Sequence, residues 1–186
     1  MTLELRSGDS LAILGPNGTG KSTFLQIMGG LLQPTEGQIR ISGDQSSEMA
    51  GEDVIRQVSL IGPYLELPEE LSLRELLGHH FRFRTIHPML TLSELPSLWQ
   101  LAQAADRPIK QYSSGMKQRV KLGLAICSSS PILLLDEPLT NLDDQGRDWY
   151  YELIKNYAQG RIQAIASNRT DETVFCGQFL HVQDYA

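Results

Sequence analysis

Gly15-Pro16-Asn17-Gly18-Thr19-Gly20-Lys21-Ser22-Thr23 is the stretch on which the reading of this chain turns. The apolar run Ser10-Leu11-Ala12-Ile13-Leu14 precedes it, and a helical pattern, Phe24-Leu25-Gln26-Ile27-Met28, follows. Strand, glycine-rich turn and helix, in that order, are the setting in which G-x-x-x-x-G-K-[ST] forms a phosphate-binding loop. The glycines let the backbone close around an anion with its N–H groups turned inward. The helix opening at Lys21 adds the positive end of its dipole. In that geometry Lys21 reaches the β- and γ-phosphates of a nucleoside triphosphate, and the Ser22 hydroxyl is a ligand for Mg²⁺.

The chain has 186 residues, enough for one domain, or one domain with a subdomain, and for a proper core. A net charge of −6 argues against a dedicated nucleic-acid binder, which is usually basic. Cys127 and Cys176 have no metal-like spacing and fit buried thiols in a reducing compartment. No apolar run reaches the ~18 residues that span a bilayer, and the first eight residues lack a signal-peptide layout. A cytoplasmic protein is expected, held at any membrane by a partner.

Moving outward from the loop, Leu3 and Leu5 alternate with polar residues and predict a short strand. The helix after Lys21 is expected to stop near Gly29-Gly30. Gln38-Ile39-Arg40-Ile41-Ser42 predicts a strand ending at Gly43, and residues 44 to 53 a polar loop or short helix. Val54 to Ile61 predicts a further strand, stopped by Pro63. From about 64 to 126 helical periodicity takes over, with Leu73, Leu76 and Leu77 on one face and a helix from Met116 to Ile126. This reads as a helical subdomain inserted into an α/β core made of residues 1–63 and 127–186. The run Ile132-Leu133-Leu134-Leu135 predicts a central parallel strand covered on both faces. A helix over about 144–159 and a last strand over 162–166 complete the pattern.

Asp136-Glu137 ends the apolar strand. Ligands of parallel α/β sheets gather at the carboxyl ends of strands, where the phosphate loop also sits. Asp136 is therefore placed to hold Mg²⁺, and Glu137 to polarise a water against the γ-phosphate. Alone, an acidic pair followed by Pro138 merely ends a strand; beside a phosphate loop it reads as chemistry. Tyr112-Ser113-Ser114-Gly115-Met116-Lys117-Gln118-Arg119 opens an amphipathic helix. Ser113 or Ser114 makes a natural N-cap, and a helix start with small side chains is also an anion site.

Phosphate loop, Tyr-Ser-Ser-Gly-Met-Lys-Gln-Arg, Ile-Leu-Leu-Leu-Asp-Glu-Pro and Thr140-Asn141-Leu142-Asp143, in this order, resemble the nucleotide-binding domain of ATP-binding cassette (ABC) transporters. The resemblance covers nearly the whole chain and is exporter-like in its short form. It implies a P-loop NTPase, RecA-like α/β core with a mainly parallel sheet and an inserted α-helical subdomain. Tyr112 to Met116 stands where the family has Leu-Ser-Gly-Gly-Gln; Ser113 and Gly115 match, whereas Tyr112, Ser114 and Met116 are variants. Leu142-Asp143 resembles the D-loop. The resemblance implies that two such domains, here as a homodimer, pair head to tail. Each ATP then lies between the phosphate loop of one and the signature of the other, with Mg²⁺. Ser113, Ser114 and Gly115, and Asp143 nearby, would serve the nucleotide held by the partner's Lys21. Glu137-assisted hydrolysis would release the pair, and a separate integral-membrane permease would be driven by the cycle. That places the protein on the cytoplasmic face of the membrane.

Three departures from the family pattern stand out. Fourteen positions precede Gly15 and none is aromatic, so the adenine-stacking residue is either supplied by an earlier start or replaced by another hold on the base. The family's glutamine ahead of the helical subdomain corresponds to Pro63, which has no side-chain acceptor. The family's switch histidine corresponds to Asn168, which hydrogen-bonds but carries no proton charge. Hydrolysis is therefore expected to be slow or dependent on a partner. Two other functional classes fit the same motifs: a soluble ABC ATPase without a transporter, and a nucleotide-dependent regulatory subunit that hydrolyses slowly. His79, His80 and His87 read as surface rather than metal ligands, and Trp149-Tyr150-Tyr151 as packing.

Overall fold

The computed structural model describes residues 2–42 and 52–185. Two compact units divide the chain: residues 1–62, 130–137 and 160–186 form one, and residues 63–129 and 138–159 the other.

The first unit is built on five strands: β1 (Ser10–Leu14), β2 (Val58–Ile61), β3 (Ile132–Asp136), β4 (Ile162–Ser167) and β5 (Gln178–His181). Their order is β2-β3-β4-β1-β5, and every pairing is parallel. Leu133, Leu134 and Leu135 are all fully buried, so the continuous apolar run is a strand covered on both faces. Each such leucine contributes about 2 kcal/mol of burial free energy. Helix α1 (Lys21–Met28) lays Leu25 into a cluster with Leu11, Ile13, Val58, Leu134 and Ala166.

Three expectations change here. Residues 54–57 are not strand: α2 spans Glu52–Gln57, and only Val58–Ile61 extends. Val54 lies in α2, and its side chain comes up against Gly30. Leu3–Leu5 form no strand, and of the predicted 38–42 strand only Ser42 makes an isolated β-bridge, although Leu3, Leu5 and Ile41 do pack, half-buried, against the cluster. Alternation reports which side chains turn inward, but a strand also needs a ladder partner. Gly43 and the segment predicted as a polar loop lie, up to residue 51, outside the described residues. Strand β5 went unpredicted, because Gln178-Phe179-Leu180-His181 has a single buried side chain.

The second unit is helical: α3 (Leu73–His80), α4 (Leu95–Leu98), α5 (Ser114–Ile126) and α6 (Asp144–Tyr157). Ser72 and Glu75 form a reciprocal capping box that starts α3. Trp99, fully buried, lies over Gly123 of α5 so closely that a Cβ there would meet its ring carbons at 2.2–2.6 Å. Glycine is the residue that admits the ring at this depth. The sequence reading leaves residues 144–159 with the sheet; in the structure α6 belongs to the helical unit, where it packs on α5. Its buried side, Trp149, Tyr150, Leu153 and Ile154, recurs at helical spacing.

Candidate functional site

Strand register assembles the first half of the site. Leu14 pairs with Ser167, and Asp136 pairs with Ala166, so β1, β4 and β3 end at one edge. Three loops leave from that edge: Gly15 to Gly20, Glu137 onward, and Asn168 onward. Adjacent strands lie ~4.8 Å apart, which brings residues as far apart in sequence as Asn17 and Asn168, 151 positions, to one end of the sheet.

Gly20 caps α1 at φ 93°, a left-handed conformation that a β-carbon would strain. No side chain caps the helix, so its first N–H groups remain directed into the loop. Lys21 is only 5% exposed, and its ammonium donates to the Gly15 carbonyl at 2.8 Å and the Pro16 carbonyl at 2.9 Å. It therefore sits inside the ring formed by its own loop. The Thr19 hydroxyl closes the ring by donating to Pro16 O at 2.9 Å.

The Ser22 side chain lies beside the Asp136 carboxylate. Burial pushes the Asp136 carboxyl above its ordinary value; Ser22 opposes this, the neighbouring Glu137 charge adds to it, and Lys21 opposes it. A buried carboxylate beside a hydroxyl is an oxygen-only donor set, which suits a hard divalent cation. A cation would relieve the burial of charge at Asp136, so these residues fit Mg²⁺. Among the described residues there is no group of three or more His, Cys, Asp and Glu that would hold a metal by protein ligands alone. A cation here would take its remaining ligands from phosphate and water.

Glu137 has φ 47°, left-handed for a non-glycine residue, and it precedes a proline, which disfavours folded-back conformations. Its N–H donates to Ala166 O at 2.9 Å, one step beyond the strand ladder. Strain of this kind, about 1–3 kcal/mol, persists where surrounding structure enforces it. Asn168 donates from Nδ2 to Asn17 Oδ1 at 3.1 Å, which ties the loop after β4 to the phosphate loop. Glu172 was not anticipated. It is 1% exposed and accepts a hydrogen bond from the Ser167 hydroxyl, whose oxygen also accepts from Arg169 N–H at 2.8 Å. These contacts pin the turn that carries Asn168. In sequence, Arg169-Thr170-Asp171-Glu172 looks like an ordinary exposed loop.

Ser113, Ser114, Gly115 and Asp143 lie in the helical unit. Ser113 caps α5, its Oγ accepting from Met116 N–H at 3.2 Å. Asp143 caps α6, accepting from Gly146 N–H at 2.8 Å. A Cβ on Gly115 would stand 2.9 Å from the Asn141 carbonyl, so the start of α5 and the 141–143 loop touch backbone to backbone. Together they line an open groove of about 920 Å³. Gln118, buried, donates to Pro138 O at 2.9 Å and so anchors the far end of the loop. Pro63 is exposed at the start of this unit. Trp149 and Tyr150 are buried as packing, with Trp149 Nε1 donating to Leu98 O at 2.7 Å.

A parallel sheet with a phosphate loop and a buried aspartate at one edge defines a phosphate-loop nucleotide-binding α/β protein. The family model described as ABC transporter matches residues 1–140, and the chain belongs to that family. Among curated proteins it is similar to the cobalamin import ATP-binding protein BtuD of Halobacterium salinarum, 29% identical over 97% of this chain and 47% of that relative. It is also 32% identical to the lantibiotic transport ATP-binding protein SrtF of Streptococcus pyogenes, over 97% of this chain and 77% of that one. The chain thus spans about half the length of several curated relatives that it matches. A solved structure, the ATP-binding subunit of an ABC transporter, superposes with TM-score 0.79 at 27% identity, covering 95% of this chain and 75% of that one. Among the described residues no helix is long and apolar enough to cross a membrane.

Proposed function

We propose that this chain is the ATP-binding and ATP-hydrolysing subunit of an ABC transporter, and that it acts as a head-to-tail pair on a separate membrane permease. One observation carries the reading. The phosphate loop, Asp136, Glu137 and Asn168 meet at one end of the sheet in the first unit, while Ser113 to Gly115 and Asp143 line one groove in the other. Each copy would hold two halves of a site, and a second copy would complete both.

In the first half, Lys21 would exchange its loop carbonyls for β- and γ-phosphate oxygens, joined by loop N–H groups. Ser22 and Asp136 would hold Mg²⁺, which would neutralise phosphate charge. Glu137 would take a proton from a water as that water attacks the γ-phosphorus. The bond from phosphorus to the β–γ bridging oxygen breaks, and ADP and phosphate leave. Asn168 would donate to a γ-phosphate oxygen from its place beside Asn17. In the other half, Ser113, Ser114 and Gly115 would donate to the γ-phosphate held by the partner's Lys21. A polyanion shared by two donor-rich faces holds them together, and loss of the γ-phosphate weakens that hold. With Pro63 and Asn168 at two helper positions, turnover is slow or gated by the permease. The relatives' names span cobalamin import and lantibiotic transport, so the proposal carries no substrate. By this reading the subunit sits on the cytoplasmic face of the membrane.

The test is ATP turnover by the full chain beside Glu137→Gln. The variant should lose nearly all turnover while retaining ATP and forming a pair in its presence. Equal rates in the two proteins would remove Glu137 from the mechanism.

A further inference from the structure

Arg119 sits six residues into α5 from the Ser113 cap, and its side chain is 11% exposed. Two chain segments far from α5 in sequence, Gln100 and the start of α6, converge on its guanidinium. Nη1 donates to Gln100 Oε1 at 2.7 Å. Nη2 lies 3.8 Å from Asp143 Oδ1, the same oxygen that caps α6. The group stacks over the Trp149 ring, 5.2 Å from its centre. Each partner is itself fixed. Trp149 is bonded to Leu98 O. Gln100 follows the buried Trp99, whose ring lies on Gly123 one turn further along α5, and Gln100 holds a left-handed φ of 59°. A non-glycine residue keeps that conformation where its surroundings enforce it. Burial works against the guanidinium charge, and Asp143 offsets this.

We propose that Arg119 is a positioning residue that fixes the Asp143 loop against the Ser113–Gly115 helix start, so that the two present one preformed face to the second copy's nucleotide. The assignment rests on the pairing reading above. Gly115 and Asn141 O supply one point of attachment between helix and loop. Gln118 holds a second point at Pro138 O, and Arg119 with Asp143 supplies the third, where the loop meets α6. The planar fork bonds, pairs and stacks at once, which an ammonium cannot do. Lysine is therefore not a conservative replacement here.

Two measurements separate the assignment from the reading beneath it. Amide exchange in the monomer reads the loop alone: Arg119→Lys should accelerate exchange across residues 140–146 while the sheet amides stay protected. Unchanged exchange there overturns the positioning role. The second measurement is ATP-dependent pairing by sedimentation, in a Glu137→Gln background. Arg119→Lys and Arg119→Ala should each weaken pairing about tenfold, the scale of one charge-assisted hydrogen bond. Binding of a fluorescent ATP analogue to the dilute monomer should stay within about twofold of the parent, because Lys21 and its loop are untouched. Pairing as tight as the parent overturns the proposal. So does equal loss of analogue binding and pairing, which marks general destabilisation. If Arg119→Ala fails to fold, Arg119→Lys decides. A parent that stays monomeric with ATP sinks the pairing reading, whatever the exchange data show for Arg119.

Discussion

Gly123→Ala adds one methyl group, and two opposing effects set the result. Alanine in the middle of α5 gains about 1 kcal/mol of helix propensity over glycine. Against this, the new Cβ would stand 2.2 Å from Trp99 Cε2 and 2.5 Å from Cδ2. That is about 1.3 Å inside the ~3.5 Å optimum for carbon pairs. The ring cannot slide aside at little cost: it is fully buried, and its Nε1 donates to Cys127 Sγ at 3.5 Å. Overpacking of this kind costs about 1–3 kcal/mol, and a rigid aromatic places it at the upper end. The net loss is about 2 kcal/mol, or roughly 4–8 °C in Tm for a chain of this size. Both tryptophans of the chain, Trp99 and Trp149, lie in the helical unit, so urea unfolding followed by tryptophan fluorescence reports on that unit. Trp99→Ala should lose about 3–5 kcal/mol. In that background Gly123→Ala should change sign and stabilise by about 1 kcal/mol. A Gly123→Ala midpoint at or above the parent, or no sign change beside Trp99→Ala, would refute the contact.

Two further outcomes are expected. Burial, with smaller contributions from Arg84 and His79, pushes His80 down to about 4, and its Nε2 lies 3.1 Å from Ser128 Oγ. Ser128 spends its proton on Leu124 O, so the neutral His80 ring donates from Nε2. The unfolded chain takes up this proton near pH 6.5 and the folded one only near 4. Stability from this group is thus whole above about 6.5 and lost as pH falls toward 4. Unfolding midpoints of the parent and His80→Gln across pH 7 to 4 check this, and parallel curves would refute it. Asn168→Ala removes the hydrogen bond to Asn17 and the donor proposed for the γ-phosphate. Turnover should fall roughly 10–100-fold, the scale of one hydrogen bond to a charged acceptor, and an unchanged kcat/KM would exclude Asn168 from the site.

The local geometry of the proposed first half-site is legible in sequence because residues a few positions apart dictate it. A glycine at φ 93° before Lys21, and an acidic pair ending an apolar strand, declare themselves in a few consecutive residues. Where local pattern was read as more than it is, the structure differs. Of the Ile39–Ile41 alternation only Ile41 packs inward while Ile39 is exposed, and Val54 to Gln57 is helical. Strand β5 offered too little buried surface to show in the sequence.

The sequence by itself determined that a phosphate loop opens a helix at Lys21, that β3 is buried and ends in Asp136-Glu137, and that Ser113 starts another helix. These follow from residue types a few positions apart. Only tertiary structure decided that α6 joins the helical unit, that Asn168 reaches Asn17, that Ser167 meets a buried Glu172, and that Arg119 ties Gln100 to Asp143. Such contacts join residues separated by up to 151 positions. Their partners are chosen by strand register and helix packing, which no local stretch of sequence contains.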